Sequence, residues 1–378
     1  MATTRPAAGG RIRVLGGFAA FGAFWGAWGA VLPAVQSHAR VDDGQLGIAL
    51  LCIGAGALVS MRSAGTLVDR WGATALPATL VAFGAAAALP GLATSTASLC
   101  AVLLVLGATS GAVDVAINAE GTRTEAANGQ PVLSLAHGTF SACVVVGSLA
   151  TGALRAADAG AELVLGLVGV AVIAVAIALW RVPAPGGAVV PARMALRHVP
   201  RMLVVLGALC ALAFFVENAW QSWGAVHLES DLDASPALGA LAPALFAGAA
   251  AASRMGGHIL VGRFDEILIM RAGATAGAAG TLLAALAPSA ALALVGIVIA
   301  GAGISICAPI LFSIAGRSAD EAVRGAAVSI VTTIAYLGFL VGPAAVGLMA
   351  DATTLRASLA AVAGVAVLLA VLAGRARP

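Results

Sequence analysis

Charge is what this sequence has least of. Asp, Glu, Lys and Arg together make up 10% of its 378 residues, where a soluble domain carries about 25%. Lysine is missing altogether, and all 20 basic residues are Arg. Beside the excess of Ala and Gly, that reads as coding bias rather than a functional device. The formal net charge of +3 is too small to suggest a nucleic acid partner. Cysteine is sparse as well. Cys52, Cys100, Cys143, Cys210 and Cys307 lie far apart in apolar runs, with no Cys-x-x-Cys or Cys/His ligand spacing. They read as reduced, buried thiols. No nucleophile motif and no metal-spaced His/Cys set appears, and no loop is long enough for a catalytic domain. An enzyme, a metal site and a cofactor are therefore not expected.

What the sequence does have is apolar length, with 61% hydrophobic residues and 47 Gly. Glycine at that level weakens soluble helices, but in lipid it lets helix backbones approach closely. A membrane span needs about 20 apolar residues. On that ruler six spans fall at Ile12–Gln36, Gly44–Val68, Thr74–Ala93, Ala97–Gly121, Val132–Ala156 and Glu162–Trp180. A Pro-rich polar stretch, 181–200, follows. Six more spans fall at Arg201–Leu228, Ser235–Val261, Ile267–Ala287, Ala290–Ala315, Gly325–Ala350 and Leu355–Ala373. The first run follows three Arg but is too long for a cleaved leader, and it reads as a retained span.

With the N-terminus placed inside, 17 of the Arg fall on the inner side and 3 on the outer, as the positive-inside rule requires. An odd span count would scramble that split. The two halves also echo each other. Trp28-Gly29-Ala30-Val31 recurs as Trp223-Gly224-Ala225-Val226, Arg62-x-x-Gly65 as Arg254-x-x-Gly257, and Gly152 as Gly347, all at offsets of 192 to 195. The expected fold is an all-α membrane protein of twelve transmembrane helices in two pseudo-symmetric six-helix bundles, 1–180 and 201–378, joined by a cytoplasmic linker at 181–200. Parallel duplication of this kind suits a rocking transporter.

The segment Gly65-Thr-Leu-Val-Asp69-Arg70-Trp-Gly72 resembles the loop signature of the major facilitator superfamily. Asp114-Val-Ala-Ile-Asn118, with Glu125 and Ser134-Leu-Ala-His137-Gly138-Thr-Phe140-Ser141, is similar to its bacterial fucose-permease-like group. The resemblance implies a secondary transporter in a bacterial inner membrane, both termini cytoplasmic, with the acid of the fourth span taking a coupling proton. Fucose permeases carry another acid in the first span, whereas Trp25–Pro33 here has none.

Ionisable groups inside a span are costly, about 2.5–3.5 kcal/mol on insertion scales, and mark function or a partner. Asp114 and Glu217 are the deep ones and the candidate proton sites. Pairing of Asp114 with Arg62 or Arg123 is the structural alternative. Asn118 shares a helix face with Asp114, and Gln221 with Glu217, each at i, i+4. Trp25, Trp28, Asn118, Glu217, Trp220, Gln221, Thr332 and Tyr336 are the candidate solute-binding residues. Trp223 reads as interfacial belt, and His137 as a structural His bonded near Glu120 or Glu125. Gly65, Asp69, Arg70 and Gly72, with Arg62 and Arg254, are candidate gate residues, the two Arg alternatively reaching lipid phosphate. The expected partners are a small-molecule substrate, protons and membrane lipid, with a monomer as the default state. Proton-linked uptake of a sugar or related polar metabolite and proton-driven efflux of a drug or cell-made metabolite both fit.

Overall fold

A computed structural model of the chain describes residues 4–184, 199–320 and 323–377, and the described backbone is helical throughout apart from short turns. Most of the expected linker, with Arg193 and Arg197, lies outside the described residues. Contacts divide the chain into two units, 1–42 with 48–190, and 43–47 with 191–378.

The N-terminal unit is built from α1 (Thr4–Ala39), α2 (Asp43–Trp71), α3 (Ala75–Ala88), α4 (Thr96–Asn128), α5 (Leu133–Ala156) and α6 (Ala161–Trp180). The C-terminal unit is built from α7 (Arg201–Val226), α8 (Pro236–Gly239), α9 (Leu241–Val261), α10 (Glu266–Leu286), α11 (Ala290–Ile304), α12 (Cys307–Arg317), α13 (Arg324–Ala352) and α14 (Leu355–Leu372). Eleven helical runs among the described residues are long and apolar enough to cross a bilayer, and one of them, Asp43–Leu92, is 50 residues long. At about 1.5 Å per residue that is more than twice the hydrocarbon thickness. It comprises α2 and α3, which meet at a short 3₁₀ turn where Gly72 adopts φ 53°, so it accounts for two spans and the described residues hold twelve.

Glycine sets the packing. A Cβ at Gly26 would collide with the Val144 carbonyl, and one at Gly147 with the Ala23 carbonyl, so α1 and α5 touch backbone to backbone. Gly338 stands likewise against the Ala211 carbonyl between α13 and α7. The pairings repeat from half to half: α1 packs on α5 as α7 does on α13, and α3 on α6 as α10 does on α14. Each unit thus repeats one plan, as the sequence offset implies. The bulky apolar side chains left exposed, such as Leu104, Val146, Leu282 and Val371, are what a lipid-facing surface presents.

Four boundaries differ from the hydropathy ruler. The Gly65–Asp69 signature is not a loop; it forms the last turns of α2, and the turn comes only at Gly72. α4 runs on to Asn128, where Gly129 at φ 66° caps it by donating to the Glu125 carbonyl. α7 continues into a π-helical turn, His227–Asp231. The tenth span is broken between Ile304 and Cys307. Pro309 has no N–H for the Ser305 carbonyl four residues back, which weakens the ladder at that break.

Candidate functional site

In the C-terminal unit, Glu217 is held on α7 facing Arg254 on α9. Nη2 of Arg254 donates to both carboxylate oxygens, at 2.9 and 3.0 Å, and Nε of Arg254 reaches the Ser305 carbonyl at 3.4 Å. Gln221, one turn on, donates from Nε2 to Glu217 Oε1 at 3.2 Å. The Glu217 side chain is 8% exposed and that of Arg254 36%. Glu217 thus has a counter-charge within its own unit, and Arg254 turns toward it rather than out to a lipid phosphate. The reason is electrostatic: an ionised Glu buried in a span is intolerable without a counter-charge. Arg254 also reaches the carbonyl orphaned by Pro309, so one guanidinium serves the carboxylate and the helix break together.

A second patch lies beside it. Asn218 donates from Nδ2 to the Phe339 carbonyl at 2.7 Å, the carbonyl that loses its helical donor because Pro343 stands four residues on. With that lone pair satisfied, α13 passes through its proline unbroken. Trp223 donates to the Pro343 carbonyl at 3.0 Å and is fully buried, which removes it from the interfacial belt. Trp220 is also fully buried, its indole N–H bonded to Thr281 Oγ1 at 3.1 Å. In this conformation it packs in the core. Thr332 bonds the Val328 carbonyl within its own helix. Tyr336 packs on Phe339, whose ring lies 4.3 Å from that of Phe214. Phe214, Gln221, Thr332, Tyr336 and Phe339 are all partly exposed.

In the N-terminal unit, Asn118 donates from Nδ2 to the Asp114 carbonyl at 2.8 Å and to its Oδ1 at 3.2 Å. Both side chains are partly exposed. Arg123, one of the partners considered for Asp114, is engaged by Glu120 at 3.0 Å. The aromatic residues of α1 form a packed cluster with Phe83 of α3. Phe24 lies 4.7 Å from Phe83 and 5.3 Å from Trp25, ring to ring. Trp28 is buried with Phe24, and Trp25 alone of the two candidate tryptophans keeps a partly exposed surface. Glu125 caps the start of α5 through the Val132 and Leu133 N–H groups, at 2.7 and 2.8 Å. His137 sets its ring edge-on to Phe18 at 4.9 Å. Of the gate candidates, Arg62, Gly65, Asp69 and Arg70 lie exposed on the last turns of α2, where a Cβ on Gly65 would meet nothing. Gly72 forms the turn itself.

The sequence reading missed one charge cluster. Arg13, 2% exposed, pairs with Glu120 of α4 and donates to the carbonyls of Leu179, Val182 and Ala73. One side chain thereby ties α1 to α4, to the end of α6 and to the turn after α2. Arg13 had counted only as a basic flank. The signal that was present is Glu120, an acid inside the fourth span with a basic residue at i+3.

Two six-span units on one plan, with ionisable groups retained within their spans, define a duplicated helical membrane carrier. The family model described as Major Facilitator Superfamily matches residues 14–343 and 260–378, and the chain belongs to that family. It is 31% identical to an MFS-type transporter of Yersinia pestis over 89% of this chain and 88% of that one. It is 30% identical to a transporter of Sinorhizobium fredii over 95% and 96% of the two chains. Membrane protein MosC of Rhizobium meliloti is 28% identical over 91% of this chain and 84% of that protein. Among solved structures, a bacterial homologue of the human lysosomal transporter Spinster superposes with a TM-score of 0.80 at 17% identity, covering 97% and 96% of the chains. A variant of the nucleoside transporter NupG gives 0.80 at 14% identity over 97% and 99%. The protein is thus a multi-pass membrane transporter of bacterial type, a secondary carrier of a small molecule rather than an enzyme.

Proposed function

We propose that this transporter takes up a small polar solute together with protons by alternating access. It acts as a monomer in a bacterial inner membrane, both termini cytoplasmic. Asp114 and Glu217 are the proton sites. The observation that carries this reading is a motif common to both halves: each acid has a carboxamide one turn on, Asn118 for Asp114 and Gln221 for Glu217, bonded to it at 3.2 Å. A carboxamide donates to an ionised carboxylate through its NH₂ and, turned over, accepts the O–H of the protonated acid through its carbonyl. Each acid is therefore satisfied in both protonation states, as a group that loads and releases a proton must be. The α2 end, with Arg62, Gly65, Asp69, Arg70 and Gly72, serves as the gate. Trp25, Asn118, Gln221, Thr332 and Tyr336 are the candidates left for solute contact, since Trp28 and Trp220 are core.

Export is the second reading, and what favours it is the absence of an acid in the first span together with an aromatic, apolar wall. Most of that wall is packed core, which favours uptake of a polar solute. The test is accumulation in proteoliposomes across a candidate panel of sugars, sugar acids and cationic drugs. A proton-coupled carrier concentrates its solute when a pH gradient is imposed and stops when a protonophore collapses it. Equilibration indifferent to the gradient would sink the proposal.

A further inference from the structure

The geometry of the Glu217–Arg254 pair points to the solute's chemistry. Arg254 holds Glu217 through one terminal nitrogen only, Nη2. Nε makes a long bond to the Ser305 carbonyl, and among the described residues Nη1 makes no hydrogen bond. A guanidinium binds a carboxylate best through two parallel N–H bonds. An arginine kept for structure alone would be expected to sit fork to fork and dry. Here the acid is the buried partner and the arginine the more exposed one, so the unused donors belong to the accessible side chain of the pair.

We propose that this edge of Arg254 is the anchor for the carboxylate of a small organic acid, which displaces Glu217 as Glu217 takes up a proton. This deepens, and rests on, the carrier reading above. The charge count requires the proton. Glu217 and Arg254 are neutral as a pair, and adding an anion leaves one uncompensated negative charge in a low-dielectric span, a costly state. Protonating Glu217 restores neutrality, so one anion and one proton bind together and the loaded site is neutral. Gln221 then accepts the O–H of the neutral acid. Phe214, one turn before Glu217 and packed at a tilt on Phe339, offers its ring to the body of the solute, whether an aromatic ring or the C–H face of a sugar acid.

The other titratable side chains around the pair are few. Cys210 of α7 and Cys307 of α12 are within electrostatic reach, and Tyr336 of α13 lies beyond Phe339. α11 brings no titratable residue. Arg356 of α14 is engaged at the far end of α7 by the Asp231 carbonyl. α7, α12 and α13 also carry Arg201, Arg317 and Arg324, each at a helix end, and Arg317 is paired with Glu266 of α10.

The experiment is calorimetric titration of the purified full chain in nanodiscs with two matched pairs, glucuronate against glucose and benzoate against benzamide. Each is run at low and high pH and in buffers of different ionisation enthalpy. The expected result is at least about tenfold tighter binding of one acid than of its neutral partner, stronger at low pH, with uptake of about one proton. Glu217→Gln should bind the acid with no proton uptake. Arg254→Gln should lose the preference for the acid, and Arg254→Lys should keep only part of it. The acid-against-neutral comparison in wild type needs no variant and stands even where one misfolds. The proposal is overturned if neither acid binds, if the neutral partner binds equally, or if Arg254→Gln keeps the preference. Binding in nanodiscs needs no gradient. Acid binding without proton-coupled accumulation would therefore refute the carrier reading, while coupled accumulation without acid preference would refute this site alone.

Discussion

Replacing Arg13 with Leu removes the one side chain that ties four elements of the N-terminal unit together. Its guanidinium bonds Glu120 and the carbonyls of Leu179, Val182 and Ala73, with Arg13 and Glu120 2% and 1% exposed. Breaking a buried ion pair from one side costs about 3–5 kcal/mol, because the remaining charge stays buried. Arg123 still holds the second Glu120 oxygen at 3.0 Å, so the lower end applies, about 3 kcal/mol. For a unit of this size each kcal/mol moves the melting temperature by about 2–4 °C, which gives a drop of about 6–12 °C. Intrinsic tryptophan fluorescence follows it directly in detergent. Adding Glu120→Gln to Arg13→Leu should cost more again, because it leaves Arg123 without its carboxylate. A drop under about 2 °C for Arg13→Leu alone would refute the clamp.

Other outcomes follow from single contacts. Asn218→Leu orphans the Phe339 carbonyl above Pro343 and should cost about 1–3 kcal/mol, read as a lower melting temperature; an unchanged value would show that α13 needs no patch. Gly26→Leu drives a side chain into the Val144 backbone and should abolish folded expression in a detergent size-exclusion assay, whereas Gly65→Leu, facing open space, should leave expression intact. Trp220→Phe keeps an aromatic ring in the core, though one smaller than indole, and leaves Thr281 Oγ1 without its donor. It should lower stability by about 1 kcal/mol and leave the apparent solute affinity unchanged; a loss of affinity would return Trp220 to the binding surface.

The class of fold was legible because hydropathy length and arginine asymmetry are global signals that survive errors at single residues. The duplication was legible through Trp28 and Trp223 or Arg62 and Arg254, whose positions relative to span ends recur. The chemistry was less so. Arg254 sits near a span end, where a long side chain reaches outward as readily as inward, and its partner Glu217 is 37 positions away on another helix. Nothing local in the sequence chooses between the two. Arg13 looked like a flank because it is the second residue of the span drawn from Ile12, whereas α1 begins at Thr4 and carries it more than two turns in. Pro309 and Pro343 look alike in sequence, yet the tenth span breaks and α13 does not. Both orphaned carbonyls meet a tertiary donor, but the Phe339 carbonyl has a close one in Asn218 at 2.7 Å and the Ser305 carbonyl only the longer bond from Arg254 at 3.4 Å.

On the proposed reading Asp114 loads the coupling proton, and solute-driven proton flux is the sharpest assay of that role. Wild type and Asp114→Asn would be reconstituted side by side in vesicles holding a pH-sensitive dye and challenged with the solute panel. The expected result is that a solute acidifies the wild-type lumen and leaves the Asp114→Asn lumen unchanged. Equal acidification in the two would contradict it and leave Glu217 as the remaining candidate.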